Sequence, residues 1–327
     1  MDVHVTGGAG FIGSHLVRAL VERGHDVTVF DNVSRGTASN LDAVVDRIRF
    51  VRGDIRNRDE LDDAIDDPDV VYHLAAINGT KNFYERTYEV LDTNLVGVRN
   101  VVEIAADRGV DRLVFASSSE VYGYPDELPT PENHTLQLMD PENPRFSYAG
   151  SKIVGEQYVI NGAERAGYDY TVCRPHNVYG GAMGYDHVIP EFVERLVTDE
   201  PFTIYGDGEQ TRSFCYITDA VEAFRKAGFE PGGANGVFNV GTQEEVSINE
   251  LAELLFDIAG VTPPIEHVDS VELEGSTRRR QPDVEKAREK LGYEPEVPLD
   301  AGLERTFEWY CEDFTGRTAD EWRAAHA

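Results

Sequence analysis

The sequence is poor in cysteine and has no long apolar run. Its three cysteines, Cys173, Cys215 and Cys311, lie far apart among 327 residues and match neither a metal site nor a disulfide framework. We therefore expect no metal and a reducing, cytoplasmic setting. No apolar stretch approaches the roughly 18 residues of a membrane span, and the strand-like run at Val3 leaves no room for a secretory signal peptide. Membrane proteins and disulfide-rich secreted domains are not expected.

Lysine is also scarce, since only five of the 30 basic residues are lysine, against 60 acidic residues and a net charge of −30. Such an excess of negative charge disfavours nucleic acid and anionic membranes as partners. The acidic residues are spread along the whole chain instead of forming one tail. We interpret this pattern as adaptation to a high-salt cytosol, where ions screen the repulsion between like charges.

Glycine is concentrated at the start of the chain, in MDVHVTGGAGFIGSHL. Gly7, Gly10 and Gly13 follow a strand-like run and lead into the helical pattern Phe11–Leu20. Without side chains, such positions let a pyrophosphate approach the backbone N–H groups of a helix N-terminus, whose dipole favours negative charge. The same spacing is typical of a tight turn that only packs a helix against a sheet, so a second signal is needed.

That signal is an acidic residue at the end of the next predicted strand, HDVTVF. Asp31 lies about 20 residues after the glycines, the distance expected for the acid that binds an adenosine ribose. A carboxylate there repels a 2′-phosphate and favours NAD over NADP, although Arg35 offers a partner for such a phosphate. Asp31 and Asn32 also fit a solvated Asx turn.

Strand-like and helical patterns alternate over the first half of the chain. Strands are predicted at Val3–Thr6, Val27–Phe30, Ile48–Val51, Val70–Leu74, Leu113–Ala116 and Tyr170–Cys173, and further helices at Asn57–Ile65 and, as one long helix, from about Asn82 to Arg108. This order predicts an α/β fold, a doubly wound parallel sheet with helices on both faces.

After Arg174-Pro175 the pattern loosens into shorter pieces. Helices are predicted at Pro190–Val197 and Asp219–Lys226, a strand at Phe238–Val240, and a capping box at Ser247 and Glu250 for a helix to Ala259. We expect residues 1–174 to form the dinucleotide-binding domain, with about 210–242 returning to it. Residues 175–327 then form mainly a smaller substrate-binding lobe over the carboxyl edge of the sheet.

A two-proline loop precedes the helical stretch Ser147-Tyr148-Ala149-Gly150-Ser151-Lys152. Tyr148 and Lys152 lie four residues apart and share one helix face. A nearby ammonium, or an oxidised nicotinamide, lowers the pKa of a tyrosine from about 10 and makes the phenol a usable base. The spacing by itself is common on helix surfaces that have no such function.

Three serines, Ser117 to Ser119, follow the predicted strand RLVFA and emerge at the carboxyl edge of the sheet, the usual ligand crevice of open α/β sheets. One of them can hydrogen-bond a substrate oxygen and share its proton with Tyr148. Alternatively, they only satisfy backbone groups at the strand end. The absence of a G-x-S-x-G motif argues against a nucleophilic serine.

Taken in order, these motifs resemble the extended short-chain dehydrogenase/reductases, specifically the NAD-dependent nucleotide-sugar epimerase/dehydratase family. The resemblance covers about residues 2 to 312 and rests on Gly7, Gly10 and Gly13, Asp31, Gly53-Asp54-Ile55, His73-Leu74-Ala75-Ala76, Asn94, Ser118, Tyr148 and Lys152, and Arg174-Pro175. It implies a Rossmann fold, NAD as cofactor and a nucleotide-diphosphate sugar as substrate. It also implies a homodimer, built from the long helix and the helix beginning near Arg145.

The resemblance also assigns roles to single residues. Cofactor contacts are expected at Gly7, Gly10, Phe11, Ile12, Gly13, Asp31, Asn32, Asp54, Ile55, Leu74, Ala75, Ala76, Asn94, Tyr148, Lys152 and Pro175. Substrate contacts are expected at Asn78, Ser119, Asn177, Arg212 and Arg280, and catalytic roles at Ser118, Glu120, Tyr148 and Lys152. Arg212 and Arg280 would grip the diphosphate, since guanidinium groups suit phosphate oxygens. Arg280 also fits a solvated basic cluster, and Asn78 an N-cap loop of the long helix.

Members of this family first oxidise a sugar hydroxyl to a keto-sugar, with Tyr148 in the position of the base. Residues 118 to 120 then separate the possible outcomes. A 4,6-dehydratase resembles Thr-Asp-Glu there, and Ser119 replaces the aspartate that would protonate the departing 6-hydroxyl. UDP-glucuronate decarboxylases resemble Thr-Ser-Glu, which Ser118-Ser119-Glu120 matches better, with Arg280 near their carboxylate-handling arginine. Epimerases tolerate many residues at 119 and 120.

The sequence is therefore predicted to encode an NAD-dependent nucleotide-sugar 4-epimerase that acts by transient oxidation. UDP-glucuronate decarboxylation and 4,6-dehydration are the alternatives within the family. A non-catalytic NAD-binding regulator is an alternative of another class. The intact set of Ser118, Tyr148 and Lys152 argues against it, because a pure binder has no use for a tuned phenol.

Overall fold

A computed structural model describes residues 1–198, 200–269 and 277–326. Its strands are β1 (Asp2–Thr6), β2 (Asp26–Asp31), β3 (Ile48–Arg52), β4 (Val70–His73), β5 (Arg112–Ala116), β6 (Asp169–Pro175), β7 (Val178–Tyr179), β8 (Phe202–Tyr205), β9 (Thr211–Arg212), β10 (Cys215–Tyr216), β11 (Gly236–Val240), β12 (Val246–Ser247), β13 (Ile265–Val268) and β14 (Arg279–Arg280). Its α-helices are α1 (Phe11–Glu22), α2 (Arg58–Ala64), α3 (Thr80–Glu85), α4 (Thr87–Arg108), α5 (Phe146–Ala166), α6 (Val188–Val197), α7 (Ile217–Phe229), α8 (Ile248–Ala259), α9 (Glu285–Leu291), α10 (Leu299–Thr315) and α11 (Ala319–His326).

Seven parallel strands form the central sheet, in the order β11-β6-β5-β4-β1-β2-β3. The middle strands are mostly buried because both faces of the sheet are covered, and all four residues of β4 are buried. From β1 the chain adds β2 and β3 on one side of the sheet and then crosses back to add β4 on the other side of β1. At such a switch point the loops after the two neighbouring strands separate and leave a crevice. The predicted doubly wound α/β fold is confirmed.

Each face of the sheet carries its own layer of helices. On one face α1 and α7 bury Leu16 and Phe224 against the strands. On the other, α4 and α5 lie side by side and bury Val98 and Val159. These packed layers fix where the loops at the carboxyl edge of the sheet begin.

The predicted long helix from Asn82 to Arg108 is wrong in one respect, because the structure divides it into α3 and α4. Arg86 lies between them with a non-helical backbone, φ −132° and ψ 34°. The hydroxyl of Thr87 donates to the carbonyl of Phe83, with 2.6 Å between the oxygens. Apolar periodicity continues across such a break and does not reveal it. The break turns α3 so that Phe83 stacks on Tyr148, with ring centroids 5.0 Å apart.

The second half of the chain has a core of its own, in which α6, α8 and α10 pack around residues such as Phe202, Leu255 and Phe307. The predicted capping box is present at the start of α8, where Ser247 and Glu250 satisfy each other's backbone N–H groups. β11 pairs with β6 in the central sheet, and α7 packs on the same sheet.

All three cysteines are free and buried. None of the helices in the described ranges is both long and apolar enough to cross a bilayer. The same ranges contain no group of three or more histidine, cysteine or acidic side chains arranged to hold a metal ion.

Candidate active site

A cavity of about 880 Å³ lies where the sheet's carboxyl edge faces the second half of the chain. Most of the predicted site residues line it: Gly7, Gly10, Phe11, Ile12, Gly13, Asp31, Asn32, Ile55, Leu74, Ala75, Ala76, Asn78, Ser118, Ser119, Glu120, Tyr148, Lys152, Pro175, Asn177, Arg212 and Arg280. The structure thus brings the three predicted groups, for cofactor, catalysis and substrate, around one cavity.

The glycine-rich turn meets the strand ends too closely for side chains. Gly7 has φ +75°, and a Cβ there would lie 2.5 Å from the backbone nitrogen of Ala75. A Cβ on Gly13 would lie 2.1 Å from the carbonyl oxygen of Gly7. The first turn of α1 has no side-chain cap and no acidic residue, so no side chain of the helix itself occupies its N–H groups or its positive dipole. This cradle fits the pyrophosphate of a dinucleotide.

The carboxylate of Asp31 is held from both sides by backbone groups. Its Oδ2 accepts from the N–H of Ala9 at 2.9 Å and its Oδ1 from the N–H of Val33 at 2.7 Å. Burial raises the pKa of Asp31, and these two hydrogen bonds act in the opposite direction. The Asx turn also forms, because Asn32 Oδ1 accepts from Ser34 at 3.0 Å. The turn at Asp31 and Asn32 therefore orients the Asp31 carboxylate, which still lines the cavity.

Arg35 extends across the cavity. Its Nη2 lies 3.5 Å from where a Cβ of Gly79 would be and 4.0 Å from that of Gly184. Its charge acts on Tyr148 and on Asp186. The guanidinium thus spans from the first half of the chain to the loop before α6.

Two predicted cofactor contacts, Asp54 and Asn94, are not on the cavity wall. Asp54 forms an ion pair with Arg56, with 2.7 Å between Oδ2 and Nη2. Asn94 is buried in α4 and hydrogen-bonds Ile77 and Ser151. The polar atoms of both residues bind neighbouring protein groups. Both residues therefore help to position the segments that line the cavity.

The Ser118 hydroxyl lies near enough to Tyr148 to lower the pKa of the phenol, and Lys152 lies one helical turn beyond the tyrosine. The ammonium of Lys152 donates to the carbonyl of Ala116 at 2.7 Å and lies 5.6 Å from the centre of the Tyr148 ring. Ser118 is therefore near the phenol, while the ammonium of Lys152 is held by the end of β5 and lies near the tyrosine ring.

The expected lowering of the Tyr148 pKa by Lys152 is not found. Burial raises the pKa of Tyr148, while the hydrogen bond from Ser118 and the charge of Arg35 act against that rise. Burial also lowers the pKa of Lys152 to about 7. The same low-dielectric surroundings disfavour charge on both groups, which sequence spacing alone does not reveal.

The sequence analysis did not predict a buried ion pair beside the site, between Glu156 and Arg174. Glu156 accepts from Ser117 Oγ at 2.5 Å and from two guanidinium nitrogens of Arg174 at 2.8 and 2.7 Å. The one available signal was an acidic residue one turn after Lys152, on the face of α5 that packs on the sheet. The network joins β5, β6 and α5 where the serines emerge, and it positions them.

The predicted substrate arginines also line the cavity. Arg212 and Arg280 are register partners on the paired strands β9 and β14. Arg280 also forms an ion pair with Glu120, with 2.7 Å between Nη1 and Oε1. Burial alone would raise the pKa of Glu120, but Arg280, Arg145 and Arg212 lower it to about 2. Arg145, which also lines the cavity, was not among the predicted site residues.

The two predicted asparagines have different surroundings. Asn177 has φ +38°, and its amide donates to the carbonyl of Ser213 at 3.2 Å. Asn78 accepts from the N–H of Gly79 at 2.6 Å, so its amide is partly engaged in the loop before α3. Both line the cavity.

Comparison with known proteins identifies the family. The sequence profile of the NAD dependent epimerase/dehydratase family matches residues 3–241. A UDP-N-acetyl-alpha-D-glucosaminuronate decarboxylase of Bacillus cytotoxicus is 36% identical over 316 residues, covering 94% of this chain and 97% of that protein. A UDP-glucose 4-epimerase of Mycolicibacterium smegmatis is 36% identical over 319 residues, covering 95% and 98%.

A solved structure agrees with the sequence relatives. The crystal structure of UDP-glucose 4-epimerase from Thermotoga maritima, with UDP-glucose, superposes with a TM-score of 0.88 at 34% identity, covering 96% of this chain and 99% of that one. The predicted family and the predicted cofactor, NAD, are confirmed. The chain belongs to the NAD dependent epimerase/dehydratase family.

Proposed function

We propose that this protein is a 4-epimerase of UDP-linked sugars. The observation that carries the proposal is that Ser118 and Tyr148, a pair beside Lys152, line the same cavity as the glycine cradle, Arg212 and Arg280. A sugar nucleotide whose diphosphate lies at Arg212 and Arg280 has its ring directed towards that pair. UDP as the nucleotide is supported by the names of the relatives.

NAD held by the glycine cradle and Asp31 would supply the acceptor for a hydride from sugar C4 and the donor that returns it. Tyr148 accepts the proton of the 4-hydroxyl, and Ser118 holds that oxygen by a hydrogen bond. Ser118 and the charge of Arg35 favour negative charge on the phenol oxygen, against the effect of burial. The keto-sugar then rotates in the cavity and presents the other face of its C4 carbonyl. After reduction from that face Tyr148 gives the proton back to O4, and C4 has the opposite configuration.

Dehydration at C6 is less well supported. Elimination of the 6-hydroxyl requires an acid that protonates the departing oxygen, and Ser119 offers a hydroxyl in the place where that acid is expected. A serine hydroxyl is too weak an acid for this step at neutral pH.

Decarboxylation of a UDP-linked uronate is the second candidate. It is supported by the arginines around Glu120, a suitable environment for a sugar carboxylate. Oxidation at C4 of a uronate creates a β-keto acid. The C5–C6 bond then breaks, its electron pair moves towards the C4 carbonyl oxygen, carbon dioxide leaves, and C5 takes up a proton.

The test is to incubate the purified protein with NAD and, separately, UDP-glucose, UDP-N-acetylglucosamine and UDP-glucuronate, and to separate the products. An epimerase interconverts two isomers of equal mass without net NADH. Detection of carbon dioxide and a UDP-pentose would show that the reaction is decarboxylation and not epimerisation. A 4-keto-6-deoxy product would establish dehydration. NAD binding without turnover of any sugar nucleotide would favour a non-catalytic regulator.

We also propose a homodimer in which α4 and α5 of each copy meet. These helices lie side by side on the flank of the sheet, and Tyr88, Val154 and Tyr158 on them are exposed, Tyr88 to 80%. Pairing buries such apolar surface. Light scattering at a salt concentration that supports activity should give twice the mass of the 36.4 kDa chain, and a monomer would contradict the proposal.

A cytoplasmic location is proposed for the same protein. It is supported by the three free cysteines, which a reducing compartment keeps as thiols. Fractionation of the source cells should place the protein with the cytoplasmic contents.

A further inference from the structure

We propose that the guanidinium of Arg35 binds the pyrophosphate of the NAD cofactor, so that the loop after β2 helps to hold the cofactor in the cavity. The family resemblance does not place Arg35 among the cofactor contacts, and the sequence offered it only as a partner for the 2′-phosphate of NADP. Because the inference concerns the cofactor, it does not depend on which sugar reaction the protein catalyses.

The loop after β2 packs directly against the glycine-rich turn. Gly36 lies so close to this turn that a Cβ there would be 2.1 Å from the carbonyl oxygen of Ala9. Asn40 adds a hydrogen bond from its Nδ2 to the same carbonyl, at 2.9 Å. Arg35 immediately precedes Gly36 in the chain. The backbone of Arg35 is therefore fixed beside the turn that fits a pyrophosphate.

The side chain of Arg35 extends from this loop over the cavity. Arg35 is exposed and lines the cavity together with Gly79 and Gly184. Its Nη2 lies 3.5 Å from the ideal Cβ position of Gly79, in the loop before α3, and 4.0 Å from that of Gly184, in the loop before α6. The guanidinium therefore lies between three loops and is open to a ligand that enters the cavity.

Arg35 differs in its partners from other arginines of this cavity. Three of those form ion pairs with protein carboxylates: Arg56 with Asp54 and Asp92, Arg86 with Glu89, and Arg280 with Glu120. Across the described ranges Arg35 makes no hydrogen bond or ion pair, and Asp186 attracts its charge only from beyond ion-pair distance. Because a guanidinium carries several N–H donors, these donors remain available to an anion in the cavity.

The direction of the Arg35 side chain favours the pyrophosphate over a 2′-phosphate. The 2′-oxygen belongs to the adenosine ribose, which is the expected ligand of Asp31. Burial and two backbone N–H groups influence the pKa of Asp31, whereas the charge of Arg35 acts on Tyr148 and Asp186. The guanidinium is thus directed from the glycine-rich turn towards the base. In NAD the pyrophosphate joins the adenosine half to the nicotinamide half, and it would lie between these two ends of the cavity.

A cation near the pyrophosphate supplies what the glycine-rich turn lacks. Residues 7–13 contain no lysine or arginine, so this turn offers only backbone N–H groups and the helix dipole. Both phosphates of NAD carry negative charge, and the fork of a guanidinium matches phosphate oxygens. The diphosphate of the sugar nucleotide is a less suitable partner for Arg35, because Arg212 and Arg280 lie together as register partners on β9 and β14.

The first experiment compares Arg35→Gln with the unaltered protein. Calorimetry on cofactor-free protein measures the affinities for NAD, NADP and ADP-ribose, which contains the pyrophosphate but no nicotinamide. Arg35→Gln should bind all three about 10- to 100-fold more weakly, the range for hydrogen bonds to a charged group. Weaker binding of NADP alone would show a 2′-phosphate contact, and an unchanged affinity for ADP-ribose would place Arg35 at the nicotinamide. Either result would overturn the inference.

Two further variants separate the charge of Arg35 from its geometry and from the net charge of the protein. Arg35→Lys should keep part of the affinity, because it keeps the charge but not the fork of the guanidinium. Arg317→Gln is the matched control, because it removes one positive charge at an exposed arginine outside the cavity lining. It should bind NAD within about twofold of the unaltered protein, since distant surface charges are screened. An equal loss of NAD affinity in Arg317→Gln would contradict the inference.

Melting temperatures separate binding from stability. Without NAD, Arg35→Gln should melt at the same temperature as Arg317→Gln, since Arg35 has no hydrogen bond or ion pair to lose within the described ranges. Added NAD should raise the melting temperature of Arg35→Gln less than that of Arg317→Gln, because weaker binding stabilises the fold less. A lower melting temperature of Arg35→Gln without NAD would show a structural role and contradict the inference.

Discussion

Asn94 donates a hydrogen bond to Ser151, with 3.0 Å between Nδ2 and Oγ, and this contact joins α4 to α5 beside the base. Ser151 in turn donates to the carbonyl of Tyr148 at 2.7 Å. The same amide of Asn94 accepts from the N–H of Ile77 at 2.8 Å and donates to its carbonyl at 3.2 Å. One buried side chain therefore positions both the loop after β4 and the start of α5.

Asn94→Ala should reduce both stability and turnover. It leaves the buried backbone groups of Ile77 without partners, which costs about 1–3 kcal/mol of unfolding free energy. Urea unfolding measures this loss. Asn161→Ala is the control, because exposed Asn161 donates only to the carbonyl of Gln157 among its described contacts, and should change stability by less than about 0.5 kcal/mol. Equal losses in the two variants would contradict the positioning role.

Tyr148→Phe should lower turnover by about 10²- to 10⁴-fold, because it removes the proton acceptor while the ring still packs on Phe83. Ser118→Ala should cost less, since it removes one hydrogen bond to the phenol. Tyr124→Phe, at an exposed tyrosine outside the cavity wall, controls for loss of a phenol oxygen. Steady-state rates measure these effects, and wild-type turnover in Tyr148→Phe would rule out the tyrosine as base.

Asp31 should make the protein select NAD over NADP. The carboxylate is oriented by Ala9 and Val33 and would meet a 2′-phosphate with like charge. We expect at least about tenfold tighter binding of NAD, which corresponds to roughly 1.4 kcal/mol. Calorimetry on the cofactor-free protein measures both affinities. Asp31→Asn should narrow the difference, whereas equal affinities in the unaltered protein would refute this role of Asp31.

Glu120 should make stability depend on pH in the acid range. Although burial opposes it, the neighbouring arginines lower the pKa of Glu120 from 4.5 to about 2. A lowered carboxyl pKa contributes stability above the unfolded-state value and loses it as pH falls through the folded-state value. Glu120→Gln should therefore be less stable at pH 7, with the gap to wild type closing between about pH 4.5 and 2.

Chemical unfolding at several pH values measures that gap. Glu103→Gln is the control, because among the described residues Glu103 forms a surface ion pair with Arg58 at 3.6 Å, and such pairs contribute little. A gap for Glu120→Gln that stays constant down to pH 2 would show that its charge does not stabilise the fold.

Salt should stabilise the protein strongly. With a net charge of −30, repulsion between acidic side chains is large when screening is weak and falls as ions are added. Melting temperature measured by scanning calorimetry should rise from low to molar potassium chloride. An unchanged melting temperature over that range would remove the interpretation as adaptation to high salt.

Much of the fold was predictable because its signals are local. Each signal occupies a short segment of the chain, and each is present in the structure. The signals are the apolar runs of β1 to β6, the glycines before Phe11, and the capping box of Ser247 and Glu250. The break at Arg86 was not predictable in this way. It depends on backbone angles at one residue, and the apolar pattern of α3 and α4 continues across it.

The candidate site was predictable residue by residue but not as a set of contacts. Sequence motifs indicated Ser118, Tyr148 and Lys152, whereas Glu156 and Arg145 carry no motif. Their importance comes from what lies opposite them, Arg174 for Glu156 and Glu120 for Arg145. Packing of distant segments creates those pairs, and spacing along the chain does not reveal them.

By itself, the sequence determined the alternation of strands and helices, the cofactor cradle at Gly7 to Gly13 and the family, because hydrophobic periodicity and short motifs act over a few residues. Tertiary structure alone decided the charge state of the site. Burial raises the pKa of Tyr148 and lowers that of Lys152, and Glu120 meets Arg280, 160 residues further along the chain. Desolvation and long-range pairing depend on which surfaces exclude water together, and only the folded chain brings those surfaces into contact.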